Sequence, residues 1–309
     1  MNARVFIDGE AGTTGLEIRE RLAAEPAISV ASIAAEARKD PDARRTLMGE
    51  VDLVVLCLPD AAAVEAVALA GTLGNRAPKI VDASTAHRVS EGWVYGFPEL
   101  DRHQADAIRS ARQVANPGCY PTGGIALLRP LTDAGLLPSD YPVTVNAVSG
   151  YSGGGKSMIE AYEVTKSAPD FELYGLSLAH KHVPELTRYS GLSRQPIFVP
   201  SVGNFRQGML VSVPLHLDTL PGKPSGADLQ KALEDHYPDA QHVRVVPAAE
   251  SAKLGGRLDA LALNGSDKLE LYVFANEAQR QAVLVARLDN LGKGAAGAAV
   301  QNIRLMLGV

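Results

Sequence analysis

A cysteine stands directly after a sharp turn and directly before an apolar helical run, in Asn116-Pro117-Gly118-Cys119-Tyr120-Pro121-Thr122-Gly123-Gly124. Pro117 and Gly118 favour the turn, and Pro121 suits the first turn of a helix running through Ile125, Leu127, Leu128 and Leu131. A thiol at a helix start meets outward-pointing backbone N–H groups and the positive end of the helix dipole. Both favour the thiolate, which is the nucleophilic form. The same amides suit a developing oxyanion. An arbitrary cysteine is more often a small buried residue, but the turn and the helix start favour a nucleophile here. Cys57 lies inside the apolar run Asp52-Leu53-Val54-Val55-Leu56-Cys57-Leu58-Pro59 and reads as core.

Proton transfer has its own candidates in His180-Lys181-His182-Val183-Pro184-Glu185-Leu186, which follows a long connection from Ser167 to Leu178. Two histidines and one glutamate without a further His or Cys cluster make a poor metal set, so no metal is expected. A general acid/base histidine steered by Glu185 is the better functional reading. On an extended segment, alternation sends both rings to one face. With a helix beginning near Val183, His182 sits at its mouth and Glu185 one turn on. That favours His182 as the acid/base and His180 as a substrate or structural contact.

A third set could hold a pyrophosphate. The strand Arg4-Val5-Phe6-Ile7-Asp8 runs into Gly9-Glu10-Ala11-Gly12-Thr13-Thr14-Gly15 and then a helix over Leu16 to Leu22. Strand, glycine turn and helix start together present free amides to phosphate. Gly9, Gly12, Thr13, Thr14 and Gly15 are therefore expected to bind a dinucleotide, although the spacing is G-x-x-G-x-x-G rather than G-x-G-x-x-G. A second strand is expected from Ile28 to Ile33. No acidic residue stands at its very end, and Arg38 and Lys39 follow Glu36, with Arg44 and Arg45 near. Basic residues there suit a 2′-phosphate, hence NADP(H) over NAD.

The elements that position these groups alternate. The continuous apolar run through Leu53 to Leu56 marks a parallel strand buried on both faces. Asp60 is placed to cap an alanine-rich helix reaching about Ala70. Lys79 to Ala83 forms a further strand that ends in Ser84-Thr85-Ala86-His87-Arg88. This alternation specifies an α/β fold with a doubly wound parallel Rossmann sheet. Ligands bind such sheets at the carboxyl ends of the strands, where Gly9 to Gly15, Pro59, Ser84 to Arg88 and Asn116 to Cys119 fall. Pro59 and Ser84 join the cofactor set.

Beyond the Cys119 helix the pattern changes. Val143 to Ser149 alternates as a strand with one wet face, and the glycines of Gly150-Tyr151-Ser152-Gly153-Gly154-Gly155-Lys156 permit a loop in close contact with a ligand. Arg88, Asn116, Ser149 and Lys156 are the candidate substrate contacts, with Arg88 and Lys156 the cations for phosphate or carboxylate. Strands are expected at Ile197–Val199, Met209–Leu217, Val243–Val246, Leu258–Leu263, Leu269–Phe274 and Ala282–Leu288, interrupted by a helix from Ala227 to Tyr237. Turns at Asn264-Gly265 and Asn276-Glu277 separate neighbouring strands. The second domain is thus α+β and mostly antiparallel, and it carries the candidate catalytic residues. Small residues on one side of the Gly294 to Leu307 helix suit close packing on the first domain. The expected division is 1–118 plus 290–309 against 119–289.

The 309 residues allow one large or two medium domains, and the formal net charge of -5 argues against nucleic acid as a partner. No apolar run approaches a membrane span. Met1 to Val5 leads straight into a strand, so no targeting segment is expected, and two cysteines make no disulfide framework. The expected setting is the cytoplasm. A dinucleotide loop, a helix-start thiol and a histidine point to reduction of an acyl phosphate through a thioester, because a bare carboxylate is too poor an electrophile.

Several blocks together resemble the N-acetyl-γ-glutamyl-phosphate reductase family of the aspartate-semialdehyde dehydrogenase superfamily, in its shorter variety. They are Gly9-x-x-Gly12-Thr13-Thr14-Gly15, Asp82-Ala83-Ser84-Thr85-Ala86-His87-Arg88, Tyr95-Gly96-Phe97-Pro98-Glu99-Leu100, the Asn116 to Gly123 block, Ser149 to Lys156, and His180-Lys181-His182-x-Pro184-Glu185. The resemblance spans essentially the whole chain, and Asn116 to Gly123 is its most specific part. It implies NADPH-dependent reduction of N-acetyl-glutamyl 5-phosphate to the semialdehyde in arginine biosynthesis. Cys119 is then the nucleophile, one histidine of the pair the acid/base, and the assembly a homo-oligomer, dimer or tetramer. Ser84 to Arg88 departs from the S-A-D-F-R segment of the longer variety. Aspartate-semialdehyde dehydrogenase is the nearest alternative, disfavoured by the H-x-H-x-x-E block. A non-catalytic NADP-binding regulator is the other, and it would have no use for a thiolate at a helix start.

Overall fold

The computed structural model describes residues 2–309. In chain order the first elements are β1 (Ala3–Asp8), α1 (Thr13–Leu22), β2 (Ile28–Ala31), α2 (Pro41–Met48) and β3 (Leu53–Leu56). They are followed by α3 (Asp60–Gly71), β4 (Lys79–Asp82), β5 (Val94–Tyr95), α4 (Gln104–Ser110), β6 (Gln113–Ala115) and α5 (Cys119–Asp133). Next come β7 (Thr144–Gly150), α6 (Gly155–Glu163), β8 (Phe171–Leu173), α7 (Val183–Tyr189), β9 (Ile197–Gly203) and β10 (Met209–His216). The chain closes with α8 (Gly226–His236), β11 (Val243–Val245), α9 (Ala248–Ala252), β12 (Leu269–Asn276), β13 (Gln281–Leu288) and α10 (Gly297–Leu307).

Two compact units result. One comprises Met1–Pro98, Arg102–Gly118 and Ala295–Val309, the other Glu99–Asp101 and Cys119–Gly294. The first unit holds a parallel sheet of order β2-β1-β3-β4-β6-β5. Its strands read as unbroken apolar runs because both faces are covered. Val5, Ile7, Leu53 and Val55 face Ile18 and Leu22 of α1, Ile108 of α4, and Ile303 and Met306 of α10. Phe6, Val54 and Leu56 face Met48 of α2 and Ala63, Ala66 and Ala70 of α3. The doubly wound sheet expected from the sequence is thus the fold of this unit.

The second unit carries a mixed sheet of order β11-β12-β13-β10-β7-β9-β8. Its pairs are antiparallel except β11 with β12 and β7 with β9. Along β10, Met209, Val211, Val213 and Leu215 are buried while Pro214 and His216 are exposed. One face packs on α5 and α8. The other face leaves an apolar groove of about 740 Å³ whose lining includes Phe171, Leu173, Leu210, Phe274 and Val283.

Four local expectations are corrected. Leu258 to Leu263 forms turns and no strand. There the Asp259 carboxylate accepts from the Leu261 amide at 2.9 Å, and such local bonding competes with a ladder. Within the long connection lies β8, a short edge strand with all three residues exposed. The Gly153 to Gly155 run is no open loop, because a 3₁₀ turn over Tyr151–Gly154 leads directly into α6. Asp60 is the first residue of α3, not its cap. Its carboxylate instead accepts from the Thr85 amide at 2.8 Å and from the Thr85 hydroxyl.

Candidate active site

In the first unit, the turn after β1 is built around glycine. Gly9 has φ +90°, and a Cβ there would collide with the carbonyl oxygen of Cys57. A Cβ on Gly15 would lie 2.6 Å from the Gly9 oxygen. Gly12 is the N-cap of α1 and no side chain caps this end. Thr13, Thr14 and Gly15 form the first turn, so their amides face an approaching anion, which fits a dinucleotide pyrophosphate.

A charged cluster stands beside that turn. Glu10 is buried and ion-paired with Arg19 and, at 3.0 Å, with Arg38. Ser32 donates to Glu10 at 3.2 Å and accepts from Arg19 at 2.7 Å. Arg38 thus joins Arg19 and Ser32, two residues not expected from sequence, while Lys39 is exposed. The available signal was the basic Arg19 on α1, one turn from Gly15. Arg44 closes on Asp8 instead, at 2.6 and 3.0 Å, although burial still raises the Asp8 pKa.

At the end of β4, Asp82 is fully buried and accepts from Ser84 Oγ at 2.8 Å and from the Ser84 amide at 2.9 Å. His87 Nδ1 lies 2.6 Å from the same carboxylate, and its ring stacks on Trp93 with centroids 4.2 Å apart. Arg88 is buried and donates to the carbonyls of Asn116 at 3.0 Å and Ala83 at 3.3 Å. Asn116 donates to the Ala295 carbonyl and accepts from Asn302, each at 3.0 Å. Both side chains are therefore engaged within the unit, tying the end of β6 to the Ser84–Arg88 turn. Pro59 is exposed at the N-cap of α3.

In the second unit, Cys119 is the first residue of α5 and is half-buried. Around its neighbour Tyr120 stands an aromatic group from three further segments. The centroid of Tyr120 is 6.0 Å from His182, 6.5 Å from His180 and 5.3 Å from Phe198, and the two histidine rings are 4.8 Å apart. Tyr174 donates to the Tyr120 hydroxyl at 3.0 Å, and Tyr120 donates to the Ser201 carbonyl at 2.9 Å. Burial first, and then neighbours that include the Cys119 charge, raise both phenols, Tyr174 to about 12. Tyr174 and Phe198 were missed from sequence, since the first lies in an apparent loop and the second in an ordinary strand.

The two histidines differ. His182 is the buried N-cap of α7. Its backbone N–H donates to His180 Nδ1 at 3.2 Å, which leaves the neutral His180 proton on Nε2. Burial, and secondarily Lys181, lowers the His180 pKa. Glu185 is buried on the inward side of α7 with Val183 and Leu186. Ser149 is buried and donates to the Gly150 carbonyl at 3.1 Å. Lys156 is exposed on the first turn of α6, whose N-terminus no side chain caps.

Cys57 packs on the core of the parallel sheet, where burial and the charges of Asp82 and Asp8 push its thiol up to about 12. Such a thiol is inert near neutral pH. Cys57→Ser is expected to leave kcat unchanged while lowering the melting temperature, because a hydroxyl replaces the buried sulfur. A loss of turnover in well-folded Cys57→Ser would put the chemistry on the wrong cysteine.

Two family models match the chain, the semialdehyde dehydrogenase NAD binding domain over residues 39–108 and the semialdehyde dehydrogenase dimerisation domain over residues 119–290. The fold and these matches define an oxidoreductase of the semialdehyde dehydrogenase class. Among individual relatives, N-acetyl-gamma-glutamyl-phosphate reductase of Chelativorans sp. (strain BNC1) is 53% identical, with 99% of each chain covered. The protein of the same name from Brucella ovis is 55% identical, with 100% of each chain covered. The chain belongs to the N-acetyl-γ-glutamyl-phosphate reductase family. Solved structures extend the likeness of fold: aspartate semialdehyde dehydrogenase II of Vibrio cholerae superposes with a TM-score of 0.73 at 15% identity, over 100% of this chain and 99% of that one. The Francisella tularensis aspartate semialdehyde dehydrogenase gives 0.73 at 12% identity, over 99% and 100% respectively. Among the described residues, no helix is long and apolar enough to cross a membrane.

Proposed function

We propose that the chain reduces N-acetyl-L-glutamyl 5-phosphate to N-acetyl-L-glutamate 5-semialdehyde and phosphate, with NADPH, in cytoplasmic arginine biosynthesis. The observation that carries the mechanism is Cys119 at the first position of α5, next to Tyr120 and its two histidine neighbours. The Cys119 thiolate attacks the acyl carbon, forming the C–S bond, and the amides of the α5 start stabilise the oxyanion. The C–O bond to phosphate then breaks and phosphate leaves with the electron pair, giving a thioester. When bound, reduced nicotinamide would supply a hydride, which forms the new C–H bond at the thioester carbon. The C–S bond breaks as the aldehyde is released, and Cys119 recovers its thiolate.

Proton handling falls to the histidines. His180, held neutral with its proton on Nε2, suits hydrogen-bond donation to a substrate oxygen, and His182 acts as acid/base with Glu185 supporting the start of α7. Lys156 with the uncapped α6 start, and Arg88, are the cationic candidates for phosphate or carboxylate. Asn116 and Ser149 are the remaining candidate substrate contacts. The Gly9–Gly15 turn would hold the pyrophosphate, with Pro59 and Ser84 lining the neighbouring strand ends. Through the semialdehyde dehydrogenase dimerisation domain and its open apolar groove, the chain would form a homo-oligomer. Side-by-side turnover of N-acetyl-glutamate semialdehyde and aspartate semialdehyde with NADP and phosphate tests the substrate. Preference for the aspartyl compound would overturn the assignment.

Arg38 and Arg19 beside Ser32 are the donors proposed for the 2′-phosphate, with Lys39 an exposed third cation. Arg38→Ala is expected to raise the KM for NADPH by about tenfold to 100-fold, the worth of a hydrogen bond to a charged group, and to leave kcat nearly unchanged. The 2′-phosphate is remote from the hydride, so the split between KM and kcat is the readout. Equal efficiency of the parent enzyme with NADPH and NADH would remove these residues from cofactor selection.

A further inference from the structure

The segment that follows β13 is polar, buried and fastened from several sides. Asp289 is fully buried and its carboxylate accepts from Gln207 Nε2 at 2.7 Å, the Gly265 amide at 2.7 Å and the Leu291 amide at 2.9 Å. Asn290 accepts from the Gly208 amide and donates to Ser152 Oγ, each at 2.9 Å. The next residues enter a π-helical turn, Gly292–Ala296. Such turns are uncommon and occur often at functional sites.

Within this turn the backbone is pressed against its surroundings. A Cβ on Gly292 would collide with the Ser266 carbonyl, and one on Gly294 would lie 3.0 Å from Cys119 Cβ and 3.4 Å from Cys119 Cα. Gly294 is thus the wall against which Cys119 rests. Its amide donates to the Asp289 carbonyl at 3.0 Å. Between the two glycines, Lys293 is fully buried and its ammonium bonds both carboxylate oxygens of Glu99, at 2.9 and 2.8 Å. Burial first, and then the Lys293 charge, lower the pKa of His242, while Glu99 acts the other way. A buried ion pair is often no more stabilising than apolar residues of the same shape, so stability alone does not account for this one.

We propose that Lys293 and Glu99 are positioning residues for Cys119. Their pair draws the Lys293 side chain to one side of the π turn and so holds the flanking Gly294 backbone against Cys119. That wall restricts the orientation of the thiol at the start of α5. The proposal rests on Cys119 being the nucleophile. Neither residue touches substrate in this account, and each acts through the turn.

The test compares Lys293→Met, Glu99→Gln and Lys293→Arg with the parent enzyme. The readouts are kcat, KM, melting temperature and the iodoacetamide alkylation rate of Cys119 across pH, the last without substrate or cofactor. Lys293→Met and Glu99→Gln are expected to lose on the order of 10²-fold in kcat, as for a misplacement of about 1 Å, with KM changed by less than about threefold. Their Cys119 alkylation should change in rate at pH values where the thiol is fully ionised, because accessibility and not acidity is altered. Lys293→Arg should recover part of both. A merely structural pair would lower the melting temperature while kcat and alkylation stayed at the parent values, which overturns the proposal. If the Lys293 variants do not fold, Gly294→Ala decides. It keeps the pair and pushes on Cys119 directly, so unchanged alkylation and kcat there would equally overturn it. Failure of the substrate assignment would show as absent turnover in the parent enzyme, whereas the alkylation comparison reports on positioning alone.

Discussion

Cys119→Ser is expected to abolish turnover while leaving the fold and NADPH binding intact. Serine is close to cysteine in size, so the start of α5 should keep its packing. Its hydroxyl, however, stays protonated near neutral pH, and the helix start cannot compensate for so high an intrinsic pKa. Removing the attacking group of an acyl-transfer enzyme costs on the order of 10⁴–10⁶-fold in kcat. The Gly9 to Gly15 turn proposed for the dinucleotide belongs to the other compact unit, so the Kd for NADPH should match the parent value. Substantial residual reductase activity in Cys119→Ser would place the nucleophile elsewhere.

The second large effect concerns His182. His182→Asn is expected to lower kcat by about 10²–10⁴-fold, the usual worth of a placed proton-transfer group, and His180→Asn by less. The ground is structural: His180 Nδ1 is occupied by the His182 amide, and burial lowers the His180 pKa. His180 therefore stays neutral down to below the usual histidine value of about 6.5, and an ionisation at or above that value in the kcat profile belongs to another group. Such a limb should therefore persist in His180→Asn. The same depression has a stability consequence. As pH falls through about 6.5, the unfolded chain takes up a proton that folded His180 resists, so this contribution destabilises the fold on the acid side. A larger kcat loss at His180 would reverse the two roles, and near-normal rates in both would remove the segment from the mechanism.

Much of the first unit was legible because its strands are covered on both faces. Val54 and Leu56 face one helical layer and Leu53 and Val55 the other, so β3 appears in sequence as an unbroken apolar run. The glycine turn was legible for a similar reason, since Gly9 and Gly15 are required by steric contacts inside the turn itself. The second unit was less so. In β8 no residue is buried, so no alternation marks it, and Leu258 to Leu263 has strand composition but a local Asp259 bond that turns the chain. Residue type also does not tell which way a polar group points. Arg88 and Asn116 have the chemistry of ligand contacts, and residue type alone does not announce the bonds that both also make within the unit. Tyr174 joins Tyr120 only through the tertiary fold, and Lys293 reaches Glu99 across nearly the whole second part of the chain. Contacts of that separation leave no periodic trace in the sequence.

The central claim is a covalent acyl-enzyme on Cys119. Its most direct measurement is to mix the parent enzyme with N-acetyl-glutamyl 5-phosphate in the absence of NADPH, quench in acid, digest and weigh the peptides. Release of phosphate is expected, with an N-acetylglutamyl thioester on the peptide carrying Cys119, the Cys57 peptide unmodified and no adduct in Cys119→Ser. An enzyme that turns over with NADPH yet shows no adduct on Cys119, or carries it on Cys57, would rule out Cys119 as the acyl carrier.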